Sequence, residues 1–403
     1  MGTISFENAL TCALEAVKER QEVVVELLNN AVGLVVAEDI FATKNLPSFD
    51  NSAMDGYAFS YKDKEKTLLV QHTIFAGDTT APKLQDGSCY KIMTGAKVPE
   101  DVDTIAPYEV CTCDTKNNTI IPPKNIKQGA NFRKKGEESL EGKLLIEKGT
   151  ILEFSHIALL ASQGVVALRC YKPLTIAILS SGNEIKEPWE SATEDEIYNA
   201  NAFGIVALLK SFGFNATYLG AMPDNFEKTK EFLSKLEQYD VVITTGGISH
   251  GEADFIYKAF VENGLKPLFH GIKLKPGHPT MMGTMNKQFV MGLPGNPLTT
   301  MVIAHSLSIP VLFKLQGSKN YNHNIIRLKL SQDLMFKNGR TYLVLGKVEK
   351  ESFVPTNNAK VGSGMITPLC KSDAIAYIQE GVESLKAGEY VDVVLLSDAT
   401  RKF

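Results

Sequence analysis

Asp240-Val-Val-Ile-Thr-Thr-Gly-Gly-Ile-Ser-His-Gly-Glu-Ala-Asp254 is the stretch on which the architecture turns. Residues 241–243 are consecutive β-branched apolar residues and read as a strand buried on both faces. The run delivers Thr244 and Thr245 to Gly246-Gly247, and helical spacing follows over 253–262. A strand passing through a glycine turn into a helix is the unit of a parallel α/β sheet, whose ligand loops lie at the strand carboxyl ends. Backbone N–H groups and hydroxyls in such a turn suit a phosphate or pyrophosphate, although a tight strand-to-helix turn needs the same residues. Asp254 can likewise cap the following helix or hold a metal, because both need an exposed carboxylate.

The same rhythm extends outward. Residues 174–179 read as a buried strand ending in Ser180-Ser181-Gly182-Asn183-Glu184. Ile205, Leu208, Leu209 and Phe212 place a helix over 202–212, closed by Gly213. A strand over 215–219 precedes Asp224-Asn-Phe-Glu227, a capping-box pattern for a helix over 225–238. A strand over 289–293 enters Pro294-Gly295-Asn296-Pro297, and the helix after it runs to about residue 315 with a kink expected at Pro310. Upstream, Leu10, Ala13, Leu14 and Val17 mark a helix capped by Ser5, and a second short helix is expected over 23–30. Short β runs at 67–74, 88–93, 103–110 and 119–121 form a β insert, and a helix over 151–164 follows. Downstream, β runs at 325–330, 340–348, 374–378 and 390–396 fit a small barrel or sandwich.

At 403 residues the chain exceeds one ordinary core, so several domains are expected. A net charge of -4 argues against non-specific binding to nucleic acid or an anionic membrane, while leaving room for a local basic pocket. Residues 1–20 lack the pattern of a signal peptide, and no apolar run reads as a membrane span. The six cysteines are scattered without C-x-x-C spacing, which suits reduced thiols and a cytoplasmic location.

Two further strings carry chemistry. Leu46-Pro-Ser-Phe-Asp-Asn-Ser-Ala-Met-Asp-Gly-Tyr-Ala-Phe59 sets Asp50, Asn51, Ser52 and Asp55 around one small-residue turn, with Gly56 letting the backbone pass into a β run. Ile272-Lys-Leu-Lys-Pro-Gly-His-Pro279 holds Lys275 against a rigid Pro276-Gly277 turn, unlike an ordinary solvated lysine.

Together these strings resemble the molybdopterin molybdenumtransferases, the MoeA–gephyrin E-domain family. The resemblance runs over essentially the whole chain. It implies a multidomain α/β fold: an elongated α/β domain (1–42 plus 134–170), an inserted β domain (43–133), a doubly wound molybdopterin-binding α/β domain (171–316) and a C-terminal β barrel (317–403). It implies Mg²⁺-dependent insertion of molybdate into adenylated molybdopterin with release of AMP. By the same resemblance Asp55, Glu184, Asp224, Asp254 and Lys275 are catalytic, and Asp224 and Asp254 hold Mg²⁺. Three acids at neighbouring strand ends would repel an anionic nucleotide, and a hard cation resolves that conflict. Substrate-binding positions are Thr94, Ser180, Ser181, Gly182, Thr244, Thr245, Gly246, Gly247, Ser249, Pro294, Gly295, Asn296, Arg340, Thr367 and His278.

The chain departs from the family pattern in four places. His278 stands at a lysine, Glu138 at an aspartate, Leu345 at a second arginine, and Thr367 at a serine. The resemblance also implies a homodimer, with the active site between the α/β domain of one subunit and the C-terminal domain of the other. The upstream adenylyltransferase is a candidate partner. Two alternatives stay open: a molybdopterin adenylyltransferase, which the single α/β domain also resembles, and a gephyrin-like scaffold with weak catalysis. The sequence shows no long linker or second pterin-binding domain, which weighs against the scaffold.

Overall fold

The structure is a computed structural model that describes residues 2–20, 22–182, 184–223, 225–247 and 255–397. It divides into two compact units, one of Met1–Ala37, Gly149–Glu153 and Leu168–Phe403, the other of Glu38–Lys148 and Phe154–Ala167.

At the centre of the first unit lies a six-stranded sheet in the order Ala216–Ala221, Ile176–Ser180, Val241–Thr245, Gln288–Leu293, Met281–Met285, Leu265–His270. The first four strands run parallel, and the last two add antiparallel pairs. Alternate residues feed two cores. Ile176, Ile178, Val241, Ile243 and Met291 pack in one with helices Ala200–Ser211 and Pro297–Ile303. Leu179, Val242 and Val290 pack in the other with helices Phe226–Ser234 and Phe255–Glu262. Burial on both faces is why these strands are continuous apolar runs rather than alternating ones.

The apolar helix from Pro297 to Leu315 is mostly buried inside this unit, as a core helix should be. Its irregularity is a π turn over Ala304–Ser308, where the Ile309 N–H reaches back to the Ala304 carbonyl. Pro310 has no N–H to donate, so the expected disturbance falls in the turn before it.

Five C-terminal strands close into a barrel: Thr341–Glu349 pairs with both Ser352–Pro355 and Ala374–Ile378, and Ile326–Leu330 and Tyr390–Leu395 complete the circuit. Closure leaves no free sheet edge in the circuit. Ile272–Lys275 joins the outside of Thr341–Glu349 in parallel, with Lys275 opposite Tyr342. Ile4–Ser5 pairs in turn with Ile272–Lys275.

One expectation fails in this unit. The segment read as a second helix is a strand, Val23–Leu27, followed by a 3₁₀ turn, Leu28–Asn30. Val23, Val24 and Val25 are β-branched in succession, and that stiffness at χ1 outweighs the apolar spacing.

The second unit holds a six-stranded sheet in the order Thr104–Pro107, Gly56–Phe59, Ser88–Ile92, Leu68–Ile74, Thr119–Ile121, Thr112–Asp114, together with helix Phe154–Ser162. Gly56 is required where it sits: a Cβ there would lie 2.2 Å from the Ala106 carbonyl oxygen of the neighbouring strand.

Candidate active site

In the first unit the carboxyl ends of Ile176–Ser180 and Val241–Thr245 border a cavity of about 510 Å³. Ser181, Gly182, Glu184, Thr245, Gly246, Gly247, Gly295 and Asn296 line it, so the three strand-end loops read from sequence do converge. Gly246 and Gly247 adopt φ of 78° and 64°. A Cβ on Gly247 would lie 2.3 Å from Ile256 Cδ1, and one on Gly246 would lie 2.8 Å from Ser181 Oγ. Ser181 donates to the Thr245 carbonyl through both its N–H and its hydroxyl, at 3.1 Å each, tying two of the loops together. Glu184 folds back so that its carboxylate lies 2.8 Å from where a Gly182 Cβ would stand.

Ser180 and Thr244 are fully buried beneath this cavity and do not line it. Ser180 belongs to a network that sequence reasoning missed. The Tyr218 hydroxyl lies 2.7 Å from Ser180 Oγ, accepts from Asn199 Nδ2 at 2.7 Å and donates to the Glu187 carboxylate. Burial and the Glu187 carboxylate push the Tyr218 phenol up to about 12, so it stays a donor at neutral pH. Asn199 caps helix Ala200–Ser211, its side chain accepting from the Ala202 N–H at 3.1 Å. Asn199, Ala200 and Asn201 line the cavity, so the helix opens onto it with its unpaired first amides and positive dipole end. The expected start of this helix, two residues later, hid that contribution. The Asn-x-Asn pattern of Asn199 and Asn201 was the available signal.

Asp224, Ser249 and Asp254 lie outside the described residues, and so does the expected pair of metal ligands. Among the described residues no group of three His, Cys, Asp or Glu side chains is placed to hold a metal.

A second cavity of about 780 Å³ adjoins the first through Asn296, which lines both. It gathers Lys275, His278, Pro294, Arg340, Lys360 and Ser363. Lys275 and Arg340, expected from different subunits, thus share a cavity within one chain. Strand pairing explains this: Lys275 stands opposite Tyr342, two residues beyond Arg340, and its ammonium lies 5.8 Å from the Tyr342 ring centroid. His278 Nδ1 lies 3.0 Å from the Ile272 carbonyl oxygen. A carbonyl only accepts, so Nδ1 carries the proton and a neutral ring offers a lone pair at Nε2. Asn296 Nδ2 donates to Ser363 Oγ at 3.1 Å and pins the barrel segment to the Pro294–Pro297 loop. Thr367 opens the short helix Thr367–Cys370 and lines neither cavity. Leu345 is 2% exposed in the main core, so that departure is a packing residue.

Asp55 and Thr94 meet in the second unit. The Thr94 N–H and hydroxyl donate to Asp55 Oδ1 at 2.6 and 2.7 Å. These bonds hold the Asp55 carboxyl below the usual 3.8. The other polar residues of that turn serve the backbone: Asp50 accepts from the Lys135 N–H at 2.7 Å, Asn51 donates to the Phe49 carbonyl, and Ser52 to the Met54 carbonyl. Glu138, with Glu137, faces Arg133 there.

Fold and site define a multidomain α/β protein that sets a glycine-rich loop cluster beside a cationic cavity. Residues 4–164 match the MoeA N-terminal region (domain I and II), 177–314 a probable molybdopterin binding domain, and 327–396 the MoeA C-terminal region (domain IV). A molybdopterin molybdenumtransferase of Haemophilus influenzae is 34% identical over 91% of this chain and 92% of its own length. One from Staphylococcus epidermidis is 29% identical over 94% of each. The crystal structure of a molybdopterin biosynthesis MoeA protein from Pyrococcus horikoshii superposes with a TM-score of 0.84 at 26% identity, covering 98% of this chain and 100% of that one. The chain belongs to the MoeA family of molybdopterin molybdenumtransferases and is an enzyme of molybdenum cofactor biosynthesis.

Proposed function

We propose that the chain inserts molybdate into adenylated molybdopterin and releases AMP. The observation that carries this reading is the junction at Asn296, where a cavity of hydroxyls, glycines and a helix N-terminus meets a cavity of cations. The phosphates fit the first cavity, where Gly246 and Gly247 keep side chains out of the way and the Ala200–Ser211 helix presents its positive end. The oxyanion fits the second, against Lys275 and Arg340, with Ser363 taking the hydroxyl role expected of Thr367. Asn296, bonded to Ser363, keeps the two ends in register.

Mg²⁺ suits the first cavity, because it binds through one or two carboxylates and completes its shell with water and phosphate oxygens. Glu184 provides a carboxylate there, and Thr245 Oγ1 is buried without a hydrogen-bond partner. Asp224 and Asp254 are the further ligands we propose. Bound there, the cation would neutralise charge building on the parting phosphates. The protein's own contribution is to hold both substrates within reach and keep the anions apart until they react.

We further propose a cytoplasmic homodimer, with the upstream adenylyltransferase as a partner; because Lys275 and Arg340 share a cavity within one chain, a second subunit would border that site rather than complete its cations. The decisive experiment follows AMP release from adenylated molybdopterin by purified protein with Mg²⁺. Molybdate should accelerate it. Release that is indifferent to molybdate in a folded preparation would remove the reading, and pyrophosphate formed from ATP would indicate the adenylyltransferase reaction instead.

A further inference from the structure

Lys360 has no place in the reading so far, yet it lines the cationic cavity with Lys275, His278 and Arg340. Among the described residues no aspartate or glutamate lines that cavity. Among those residues the positive charge of the cavity is uncompensated, and it calls for an anionic occupant. The backbone delivers Lys360 in an unusual way. Asn357, Asn358 and Ala359 take φ of 50°, 54° and 60°, three left-handed residues in succession. Asparagine visits that region readily and alanine does not, so the turn is held by its surroundings rather than by local preference. The Lys360 N–H closes the turn on the Asn357 carbonyl at 3.0 Å. Three residues later Ser363 is tied to Asn296. A strained turn on one side and the hydrogen bond to the Pro294–Pro297 loop on the other fix the segment from which Lys360 projects.

We propose that Lys360 is a third permanent cation of the oxyanion site and sets its preference for a dianion. This rests on the oxyanion reading of the second cavity. Lys275 and Arg340 alone would balance one dianion. Lys360 leaves a surplus positive charge, so a doubly charged tetrahedral oxyanion gains more than a singly charged one from the same contacts.

Isothermal titration of molybdate and of perchlorate into full-length protein tests this, using wild type, Lys360→Ala, Lys360→Arg and Lys275→Ala. Lys360 is solvent-exposed, so its replacement should leave the unfolding temperature unchanged. Molybdate affinity should fall about tenfold in Lys360→Ala and recover in Lys360→Arg, while perchlorate, a tetrahedral monoanion, loses less. Raising the salt concentration should narrow the gap between wild type and Lys360→Ala. Wild-type affinity in Lys360→Ala, beside a clear loss in Lys275→Ala, overturns the role of Lys360 and leaves the oxyanion site standing. Equal losses for both anions overturn the dianion preference. No molybdate binding by wild-type protein, or none that Lys275→Ala alters, overturns the oxyanion reading and this inference with it.

Discussion

The two cavities that meet at Asn296 are built by opposite means. The glycine cavity sets backbone and short, buried side chains beside the larger Glu184, Tyr198 and Phe255: Thr245 is 1% and Asn201 6% exposed, and the loops are bolted together by Ser181 and by the 2.7 Å bond from Asn201 Nδ2 to the Gly295 carbonyl. The cationic cavity is made of long, exposed side chains around a rim of prolines and apolar residues. In the first, shape does the selecting, and a single added carbon atom collides. In the second, charge selects, and the groups can be exchanged without disturbing the fold. On the function proposed above, a large pterin nucleotide needs a preformed frame, whereas a small hydrated oxyanion needs field strength more than fit.

That contrast can be broken most forcefully at Gly247. Gly247→Val puts a β-branched residue at φ of 64° with its Cβ 2.3 Å from Ile256 Cδ1. The combined backbone strain and overpacking should cost about 3 kcal/mol of stability in urea unfolding and abolish binding of AMP. Molybdate affinity should survive in whatever protein remains folded. If molybdate binding falls in parallel with AMP, the two cavities are one mechanical unit and the contrast is wrong.

A middle-sized effect is expected at His278. His278 lines the cationic cavity. His278→Lys adds a permanent ammonium beside Lys275 and Arg340, so molybdate affinity should rise several-fold in isothermal titration. AMP affinity of the glycine cavity should stay at the wild-type value. Unchanged molybdate affinity in His278→Lys would place position 278 outside the anion's reach.

The smallest effect belongs to Asp55 in the other unit. Its carboxyl is held low by the Thr94 bonds, so these bonds act on the ionised form and weaken only as pH falls through that lowered value. In Thr94→Val the Asp55 carboxyl should titrate closer to 3.8 by NMR, with no change in molybdate affinity. A carboxyl that does not move would mean that the Thr94 N–H alone, which valine keeps, holds it low and that the hydroxyl adds nothing.

Most of the architecture is legible along the chain because it is local. The parallel strands announce themselves as apolar runs ending in glycine or proline turns, and the barrel strands as β-branched runs. The failures are instructive for the same reason. Residues 23–27 have helical apolar spacing, but three successive valines make them a strand. The start of helix Ala200–Ser211 is hidden because Asn199 caps it from within a buried network with Tyr218 and Glu187, which no nearby residue betrays. Asp55 and Thr94 could be singled out separately, yet their bond depends on Gly56 pairing with Ile92 in adjacent strands.

The amino-acid sequence alone determines the Thr245-Gly246-Gly247 turn of the glycine cavity, since its strand, threonine and glycines lie within one short stretch and their geometry follows from φ and hydrogen-bonding rules. The membership of the cationic cavity is settled only by folding. Lys275 reaches Arg340 through the register that sets it opposite Tyr342, and Lys360 joins them because the barrel closes and Ser363 docks on Asn296. Register and closure are relations between distant segments, and a solvated lysine looks the same in sequence whether or not two other cations will share a cavity with it.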